Sequence, residues 1–433
     1  MSDPMADCTV RGDIVHFIDS PTREDPKRGL VYIPNGLLKI RDGRVIDVAP
    51  FDQEVASEET VIDYSGHLIM PGFIDAHVHY VQADVIASYG KQLLDWLNDY
   101  TFPLERRYSD PELCRETAQW FLRELWRNGT TTALVWPASF KQSAAAIFES
   151  AYGANMRLIS GKVMMDRHCP DYLADSARSS YEDSLELIQQ WHGKGRLSYA
   201  VTPRFAPTST EEQLNLAGRL MADVPDVYMQ THLAENQDEI RWVKELFPKS
   251  RSYLDVYRQF GLLSSRSFFG HCIYLDDEDR KIMSRRNATA VFCPTSNLFL
   301  GSGLFDLRQA EQVGLSVALG SDVGGGSSYG MLQTMHGAYS ITQLKGFPVF
   351  PLQPWHWATL GAAKALNLED SIGNFEPGKE ADFVVIDPKA TEVLSRRMAS
   401  SETLEEKLFA LMVLGDDRAI KATYILGVPK HSV

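Results

Sequence analysis

Eight short apolar runs, most of them ending in a polar residue, are the feature that most constrains the fold of this chain. In chain order they are 73–77 (FIDAH), 131–135 (TTALV), 158–165 (LISGKVMM), 197–203 (LSYAVTP), 227–232 (VYMQTH), 267–271 (SFFGH), 288–293 (ATAVFC) and 315–322 (LSVALGSD). Runs that stay apolar without alternating are typical of parallel strands, because helices cover both faces of such a sheet. The sequence therefore predicts a buried parallel sheet of eight strands.

Helical segments separate most of these runs. Residues 111–128 place Leu113, Phe121 and Leu125 at helical spacing, and Gly129 follows as a stop signal. The same character is found in residues 180–192, 210–222 and 254–260. Eight strands alternating with helices predict an α/β fold, a (β/α)8 TIM-like barrel, for which roughly 250 residues are typical. An open doubly wound sheet is the alternative, but it would need a glycine fingerprint after its first strand, where the sequence has none.

The two ends of the chain do not fit the barrel. Residues 29–65 alternate in short strands around Asp42-Gly43, which is a hairpin signal, and residues 378–387 and 420–429 also resemble strands. We therefore expect both termini to build one small β-sandwich domain, with a helix in its C-terminal part. The predicted boundaries are 1–68 and 377–433 for the small β domain and 69–376 for the catalytic barrel.

Charge and composition exclude several classes of function. The chain has 43 Lys and Arg against 57 Asp and Glu, a net charge of −14, and no basic run, so we expect no nucleic-acid partner. No stretch approaches the ~18 apolar residues of a membrane-spanning helix. The start Met1-Ser2-Asp3-Pro4 lacks the features of a signal peptide, and the five cysteines form no C-x-x-C pair. These observations predict a cytoplasmic protein.

Polar side chains stand at the ends of several predicted strands. His77 and His79 are two residues apart, so they point to the same side of a strand and can converge on one metal ion. His232 ends the fifth run, and Glu235 follows where the next loop begins, a position from which a carboxylate can move protons beside a metal. His271 ends the sixth run.

Asp322 ends the eighth run and completes the set. Each member has an ordinary structural explanation by itself: Asp322 as a turn residue, His271 as a core histidine, Glu235 as a solvated helix start. Together, however, they stand at the carboxyl ends of barrel strands, where barrel enzymes carry their catalytic groups. The ordered set therefore predicts a metal site at the mouth of the barrel.

The set and its flanking segments resemble the amidohydrolase superfamily. The motif PGFIDAHVH stands at 71–79, and a return strand, PGKEADFVVID, stands at 377–387. Further segments resemble the guanine deaminases within that superfamily, over nearly the whole chain. They are 92–103 (QLLDWLNDYTFP), 127–133 (RNGTTTA), 202–208 (TPRFAPT), 231–236 (THLAEN), 293–303 (CPTSNLFLGSG) and 414–418 (LGDDR).

The resemblance implies a zinc-dependent hydrolase that converts guanine and water to xanthine and ammonia in purine catabolism. By this resemblance, one zinc ion per chain would be held by His77, His79, His232 and Asp322. Three nitrogens and one carboxylate suit zinc, although iron or manganese could use the same site. Glu235 matches the proton shuttle, His271 matches the residue that orients the attacking water, and Asp322 can accept a proton while it remains a ligand.

The same resemblance assigns the substrate contacts. Gln82, Arg204 and Phe205 match the residues that bind guanine in the family: an arginine donates to the exocyclic oxygen, a glutamine both donates and accepts, and a phenylalanine offers a stacking face. Trp96 is an equally good candidate for the pocket wall or for the core. The resemblance also implies a homodimer.

Of three alternative functions, one remains open at this point. The enzyme could act on another aminated heterocycle, such as 8-oxoguanine, a triazine or cytosine, or on a chlorinated one. A zinc deaminase of the cytidine type would need an H-x-E and a P-C-x-x-C motif, which the sequence lacks. A catalytically dead relative that serves as a scaffold would have lost a metal ligand or Glu235, and all of them are present.

Overall fold

The computed structural model describes residues 6–52, 60–90 and 92–433. Two regions used in the sequence predictions lie outside this part. They are Met1–Pro4, on which the signal-peptide prediction rests, and residues 53–59 of the predicted hairpin region. The strands are β1 (Cys8–Phe17), β2 (Leu30–Arg41), β3 (Arg44–Pro50), β4 (Val61–Pro71), β5 (Phe73–His79), β6 (Thr130–Trp136), β7 (Arg157–Ser160), β8 (Val163–Met164), β9 (Leu197–Pro203), β10 (Tyr228–Leu233), β11 (Ser267–His271), β12 (Thr289–Phe292), β13 (Ser316–Leu319), β14 (Phe383–Ile386), β15 (Ile420–Ile425) and β16 (Val428–Ser432).

Helices fill most of the connections between the strands. They are α1 (Leu93–Trp96), α2 (Phe102–Glu105), α3 (Pro111–Arg127), α4 (Lys141–Gly153), α5 (Ala177–Trp191), α6 (Glu211–Asp223), α7 (Gln237–Leu246), α8 (Tyr253–Gln259), α9 (Asp277–Arg285), α10 (Pro294–Phe299), α11 (Leu307–Gln312), α12 (Met331–Leu344), α13 (Gln353–Trp357), α14 (Leu360–Ala365), α15 (Glu392–Ala399) and α16 (Leu404–Leu414). A π-helical turn (Leu97–Thr101) joins α1 to α2, and short 3₁₀ turns lie at Tyr80–Val85, Arg106–Ser109, Ala206–Thr208 and Asp417–Ala419.

The parallel strands form the predicted barrel. Strands β5, β6, β7 and β9 to β13 pair in chain order, and β8 pairs with β9 beside them. The last strand returns to the first through two hydrogen bonds: the N–H of Asp322 donates to the carbonyl of His77, and the N–H of His79 donates to the carbonyl of Val323, both at 2.8 Å. The (β/α)8 prediction is confirmed.

Burial explains why apolar and polar residues do not alternate along the barrel strands. Every residue of β5, β6, β11 and β12 is buried, as expected for strands covered on both faces. One predicted run, 158–165, is divided into β7 and β8 in the structure. A side chain on Gly161 would place its Cβ 1.7 Å from the carbonyl oxygen of Ala200 on β9, so the backbones approach too closely there for any other residue.

The terminal strands form a second sheet of seven strands, in the order β16-β15-β14-β4-β1-β2-β3. Strands β1 and β4 pair in parallel, and the other neighbours are antiparallel. Asp42 and Gly43 both have positive φ, 50° and 68°, which is the backbone of a type I′ hairpin turn between β2 and β3. The prediction that both termini build a small β domain is confirmed; the exact boundaries at 68 and 377 stay a prediction.

Two further properties concern the environment of the chain. Among the described residues, no helix combines the length and the apolar character that crossing a membrane requires. The five cysteines are free thiols.

Candidate active site

Four barrel strands bring the predicted metal ligands and His271 to one mouth. His77 and His79 close β5, His232 lies near the end of β10, His271 closes β11, and Asp322 follows β13. His271 and Asp322 have φ values of 70° and 50°, in the left-handed region that non-glycine residues rarely adopt. Strained backbone of this kind clusters at functional sites, where the surrounding structure holds it in place.

All five side chains converge on a small volume. Ligand atoms of His77, His232, His271 and Asp322 lie within 4.8 Å of one another. Nε2 of His79 lies 3.1 Å from Nε2 of His77 and 3.2 Å from Oδ1 of Asp322, which is itself 3.3 Å from Nε2 of His77. The compact group of four contains His271 and not His79, so it differs by one residue from the ligand set that the sequence predicts.

The remote nitrogens of two imidazoles are anchored to the protein. Nδ1 of His232 lies 2.7 Å from the carbonyl oxygen of Arg204, and Nδ1 of His271 lies 2.9 Å from Oδ1 of Asn297 on α10. Partners of this type fix the ring orientation and tautomer of metal-binding histidines. Both rings are therefore oriented with Nε2 available to the cluster.

The protonation states also suit a divalent cation. Burial lowers the pKa of His79 to about 3 and the pKa of His232 well below its usual value. Neutral imidazole is the form that binds metals. A buried group of imidazoles, of which His79 and His232 are held neutral, and one carboxylate therefore fits a zinc-type ion by the chemistry of its donors.

Glu235 lies beside the cluster with a carboxyl group suited to proton transfer. Its Oε2 is 3.3 Å from Nε2 of His271, and its Oε1 accepts a hydrogen bond from the Ser302 hydroxyl at 2.9 Å. Burial raises the pKa of Glu235 to about 8, and the nearby carboxylate of Asp322 adds to the effect. A carboxyl with a pKa near neutrality can both take and give a proton during catalysis.

Sequence reasoning missed the residue that holds Glu235 in place. Oε2 of Glu239 accepts hydrogen bonds from the backbone N–H groups of Glu235 and Asn236, at 3.0 and 3.1 Å, and the Tyr253 hydroxyl donates to Oε1 at 2.7 Å. Asn236 and Glu239 form a capping box at the start of α7. The N-x-x-E spacing was a local signal that could have revealed this pair.

A second missed residue, Asp75, connects the first strand of the barrel to the segment that follows the last one. Its carboxylate accepts from the N–H of His77 at 3.1 Å and from the N–H and hydroxyl of Ser321 at 3.0 and 2.5 Å. The first and last strands are thereby joined directly beneath the metal ligands. A lone aspartate inside an apolar run was the available signal.

A cavity opens beside the cluster, with a volume of about 420 Å³ when the space open to solvent is included, and the three predicted substrate residues lie in its wall. Gln82, Arg204 and Phe205 line it, all nearly fully buried, together with Trp96. Of the two roles considered for Trp96, pocket wall and core, the structure shows both, because the ring lines the cavity and is 2% exposed.

Behind the pocket wall lies a buried carboxylate that the sequence did not single out. Glu105, at the end of α2, accepts hydrogen bonds from Nη1 of Arg204 at 2.8 and 3.0 Å and from Nε2 of Gln82 at 3.0 Å. Oε1 of Gln82 accepts from the N–H of Gly324 at 3.2 Å. Two of the three predicted substrate residues therefore share one anchor.

Comparison with known proteins identifies the family of the chain. Residues 68–429 match the amidohydrolase family. Guanine deaminase of Escherichia coli K12 is 49% identical over 424 residues, covering 96% of each chain. The solved structure of E. coli guanine deaminase has a TM-score of 0.95 at 48% identity, covering 98% of this chain and 99% of that one.

A further relative is informative because its structure contains guanine. The crystal structure of guanine deaminase from C. acetobutylicum with guanine bound in the active site has a TM-score of 0.89 at 29% identity, covering 98% of this chain and all of that one. The fold and the sequence thus agree over the full length of these proteins. The chain belongs to the amidohydrolase family, in the group that holds the guanine deaminases.

Proposed function

We propose that this enzyme hydrolyses guanine to xanthine and ammonia. The observation that carries the proposal is the placement, in one cavity, of two groups of residues. A cluster of histidines and one aspartate lies on one side, and the recognition groups Gln82, Arg204 and Phe205 lie on the other. Likeness to guanine deaminases over 96% of the chain supports guanine over other aminated heterocycles.

The proposed metal is one zinc ion per chain. Its proposed ligands are His77, His79, His232 and Asp322, with His271 orienting the attacking water; the compact four-residue group makes His271 the alternative fourth ligand. When bound, such an ion supplies Lewis-acid activation of water at neutral pH.

Glu235 performs the proton transfers in this proposal. It accepts a proton from the attacking water and delivers it to ring nitrogen 3 of guanine, and a second transfer lets the 2-amino group leave as ammonia. The hydroxyl of Ser302 holds one carboxylate oxygen, which leaves Oε2 facing the cluster and His271. A pKa near 8 keeps the proton exchangeable in both directions.

The pocket recognises the base by its polar edge and its face. Arg204 donates to the exocyclic oxygen, Gln82 offers a donor and an acceptor, and Phe205 provides a stacking surface. Adenine would present an amino donor where guanine has its carbonyl, so donors of the protein would be left unpaired. Adenine also has no leaving group at carbon 2.

An assay of the purified enzyme on a panel of purines, pyrimidines and triazines, with elemental analysis, tests the proposal. We expect guanine to be the preferred substrate, discrimination of ~10⁴ or more against adenine, and about one zinc per chain. A tenfold or greater preference for cytosine or a triazine would contradict the substrate assignment. Two tightly bound metals per chain, or none in a fully active preparation, would contradict the metal assignment.

The remaining proposals concern the oligomeric state, the location and the binding partners of the enzyme. We propose a homodimer, which light scattering tests as twice the chain mass of 48.6 kDa. We also propose a cytoplasmic location, with guanine as the partner and with neither nucleic acid nor membrane as a binding surface; the net charge of −14 supports the exclusion of nucleic acid.

A further inference from the structure

Glu105 lies behind two residues that line the substrate pocket, Gln82 and Arg204, and its side chain is 0% exposed. Both of its oxygens contact Nη1 of Arg204, and Oε1 also accepts from Gln82. A buried carboxylate is costly unless hydrogen bonds and an opposite charge compensate for it. Among the described residues, Glu105 forms its ion pair with Arg204, which the proposed function assigns to the substrate.

The first consequence concerns charge. Guanine is a neutral base, and a buried guanidinium without a counter-ion would attract an anion in preference to a neutral ligand. The carboxylate of Glu105 neutralises Arg204 inside the pocket. Arg204 therefore acts as a hydrogen-bond donor without presenting a net positive charge to the ligand.

The second consequence concerns geometry. The amide of Gln82 is held at both ends, because its oxygen accepts from the N–H of Gly324 and its nitrogen donates to Glu105. The guanidinium of Arg204 lies 5.2 Å from the ring centroid of Phe102. Phe102 and Glu105 are the first and last residues of α2, so one short helix supports Arg204 by a ring face and by a carboxylate.

We propose that Glu105 is a specificity-determining positioning residue, which neutralises Arg204 and aligns Arg204 and Gln82 so that the pocket selects a neutral purine over a deprotonated one. The inference rests on the proposed function. This selectivity matters for the product, xanthine, because xanthine loses a ring proton more readily than guanine does. A pocket that rejects the anionic base thus releases its own product as the pH rises.

Two substitutions at this position and one control test the inference. Glu105→Gln removes the charge and keeps the size, and Glu105→Asp keeps the charge and shortens the reach. Asp99→Asn, an exposed carboxylate of the same segment, is the matched control and should behave as the wild type. The measurements are KM and kcat for guanine, and the inhibition constant of xanthine at pH values below and above the pKa of xanthine.

In the wild type, we expect inhibition by xanthine to weaken as the pH rises through its ionisation. In Glu105→Gln, guanine KM should rise about tenfold with a smaller change in kcat, and inhibition should strengthen over the same pH range because Arg204 is no longer neutralised. Glu105→Asp should raise guanine KM while it keeps the wild-type pH trend. The double variant Glu105→Gln/Arg204→Met should lose the strengthened inhibition, because the unpaired cation is gone.

The same pH trend in Glu105→Gln as in the wild type, with guanine KM unchanged, would overturn the inference. If thermal unfolding shows that Glu105→Gln does not fold, the decision falls to Glu105→Asp and the double variant. An unchanged guanine KM in Glu105→Asp, or strengthened inhibition in the double variant, would then overturn it. A wild type without activity on guanine would instead contradict the proposed function.

Discussion

Two buried arginines flank the same barrel strand and have different surroundings. Arg196 immediately precedes β9 and Arg204 immediately follows it, so about eight residues, roughly 25 Å of extended chain, separate them. Arg196 donates from Nη2 to Glu380 at 2.6 Å and from both terminal nitrogens to Asp382, and it also contacts the carbonyl of Asn155. These bonds connect the amino end of the barrel to the terminal sheet.

Arg204 makes its hydrogen bonds to Glu105 from a single nitrogen and lines a cavity. At the amino end, therefore, an arginine and its carboxylates serve to hold two parts of the molecule together. At the carboxyl end, a similar ion pair fixes the arginine in place and still leaves it facing a ligand site. The comparison agrees with the general division of a barrel into a stabilising end and a catalytic end.

The largest expected effect lies at the carboxyl end. Glu235→Gln keeps the size and a hydrogen bond but cannot carry the proton, so turnover of guanine should fall by roughly 10²–10⁴ while the metal content stays unchanged. Steady-state kinetics with elemental analysis measures both. The exposed Glu245→Gln serves as a control, and near-normal turnover in Glu235→Gln would assign the shuttle elsewhere, with Asp322 as the next candidate.

At the amino end, the expected effect is on stability. Arg196→Met leaves Asp382 without its buried cation, whereas Glu380 keeps its ion pair with Arg157, so the free energy of unfolding should fall by about 3–5 kcal/mol. The kcat/KM of the folded variant should stay within about twofold of the wild type. Denaturant unfolding measures the free energy of unfolding.

The exposed pair Arg219–Asp223 offers the control, since Arg219→Met should change stability by less than about 1 kcal/mol. A large loss of kcat/KM in the folded Arg196→Met variant would remove the distinction between the two ends.

Arg204→Met tests whether the arginine at the carboxyl end of the barrel binds the substrate. It should reduce kcat/KM for guanine by about two powers of ten without creating activity on adenine, because the donors to the base are lost. It also leaves Glu105 unpaired, so stability should fall as well. Adding Glu105→Gln should restore part of the stability and none of the activity; recovery of activity in the double variant would show that Arg204 does not bind the base.

The smallest expected effect concerns the support of Glu235. Tyr253→Phe removes one hydrogen bond to Glu239, worth about 1 kcal/mol, and should lower kcat a few-fold through the position of Glu235. Comparison of kcat with the unfolding midpoint separates the two contributions. A loss of stability with unchanged kcat would confine Tyr253 to a structural role.

The strands and the convergence of the histidines with Asp322 could be predicted because both depend on local patterns. Continuous apolar runs record burial on two faces, and parallel strands bring their carboxyl ends together, so His77, His232 and Asp322 were expected to meet. The division of 158–165 could not be foreseen, because it depends on the approach of Gly161 to Ala200 on another strand.

Glu105 was missed for a related reason. Its role exists only because Arg204, 99 residues later, folds back onto it. The four-residue helix that carries Glu105 is too short to show a periodic pattern of its own. Ser302, which holds Glu235, lies 67 residues from its partner and gives no sequence signal either. Contacts between distant loops at the barrel mouth have to be observed.

The order of strands in the terminal sheet determines how late in synthesis the protein becomes complete. Strand β4 pairs with β1 on one side and with β14 on the other, and more than three hundred residues of barrel lie between β4 and β14. While the ribosome is producing the barrel, the second edge of β4 has no partner from its own chain. An open strand edge is a template for association with other chains. The emerging polypeptide is therefore most prone to aggregate during the synthesis of its catalytic part, and the arrival of β14 ends that period.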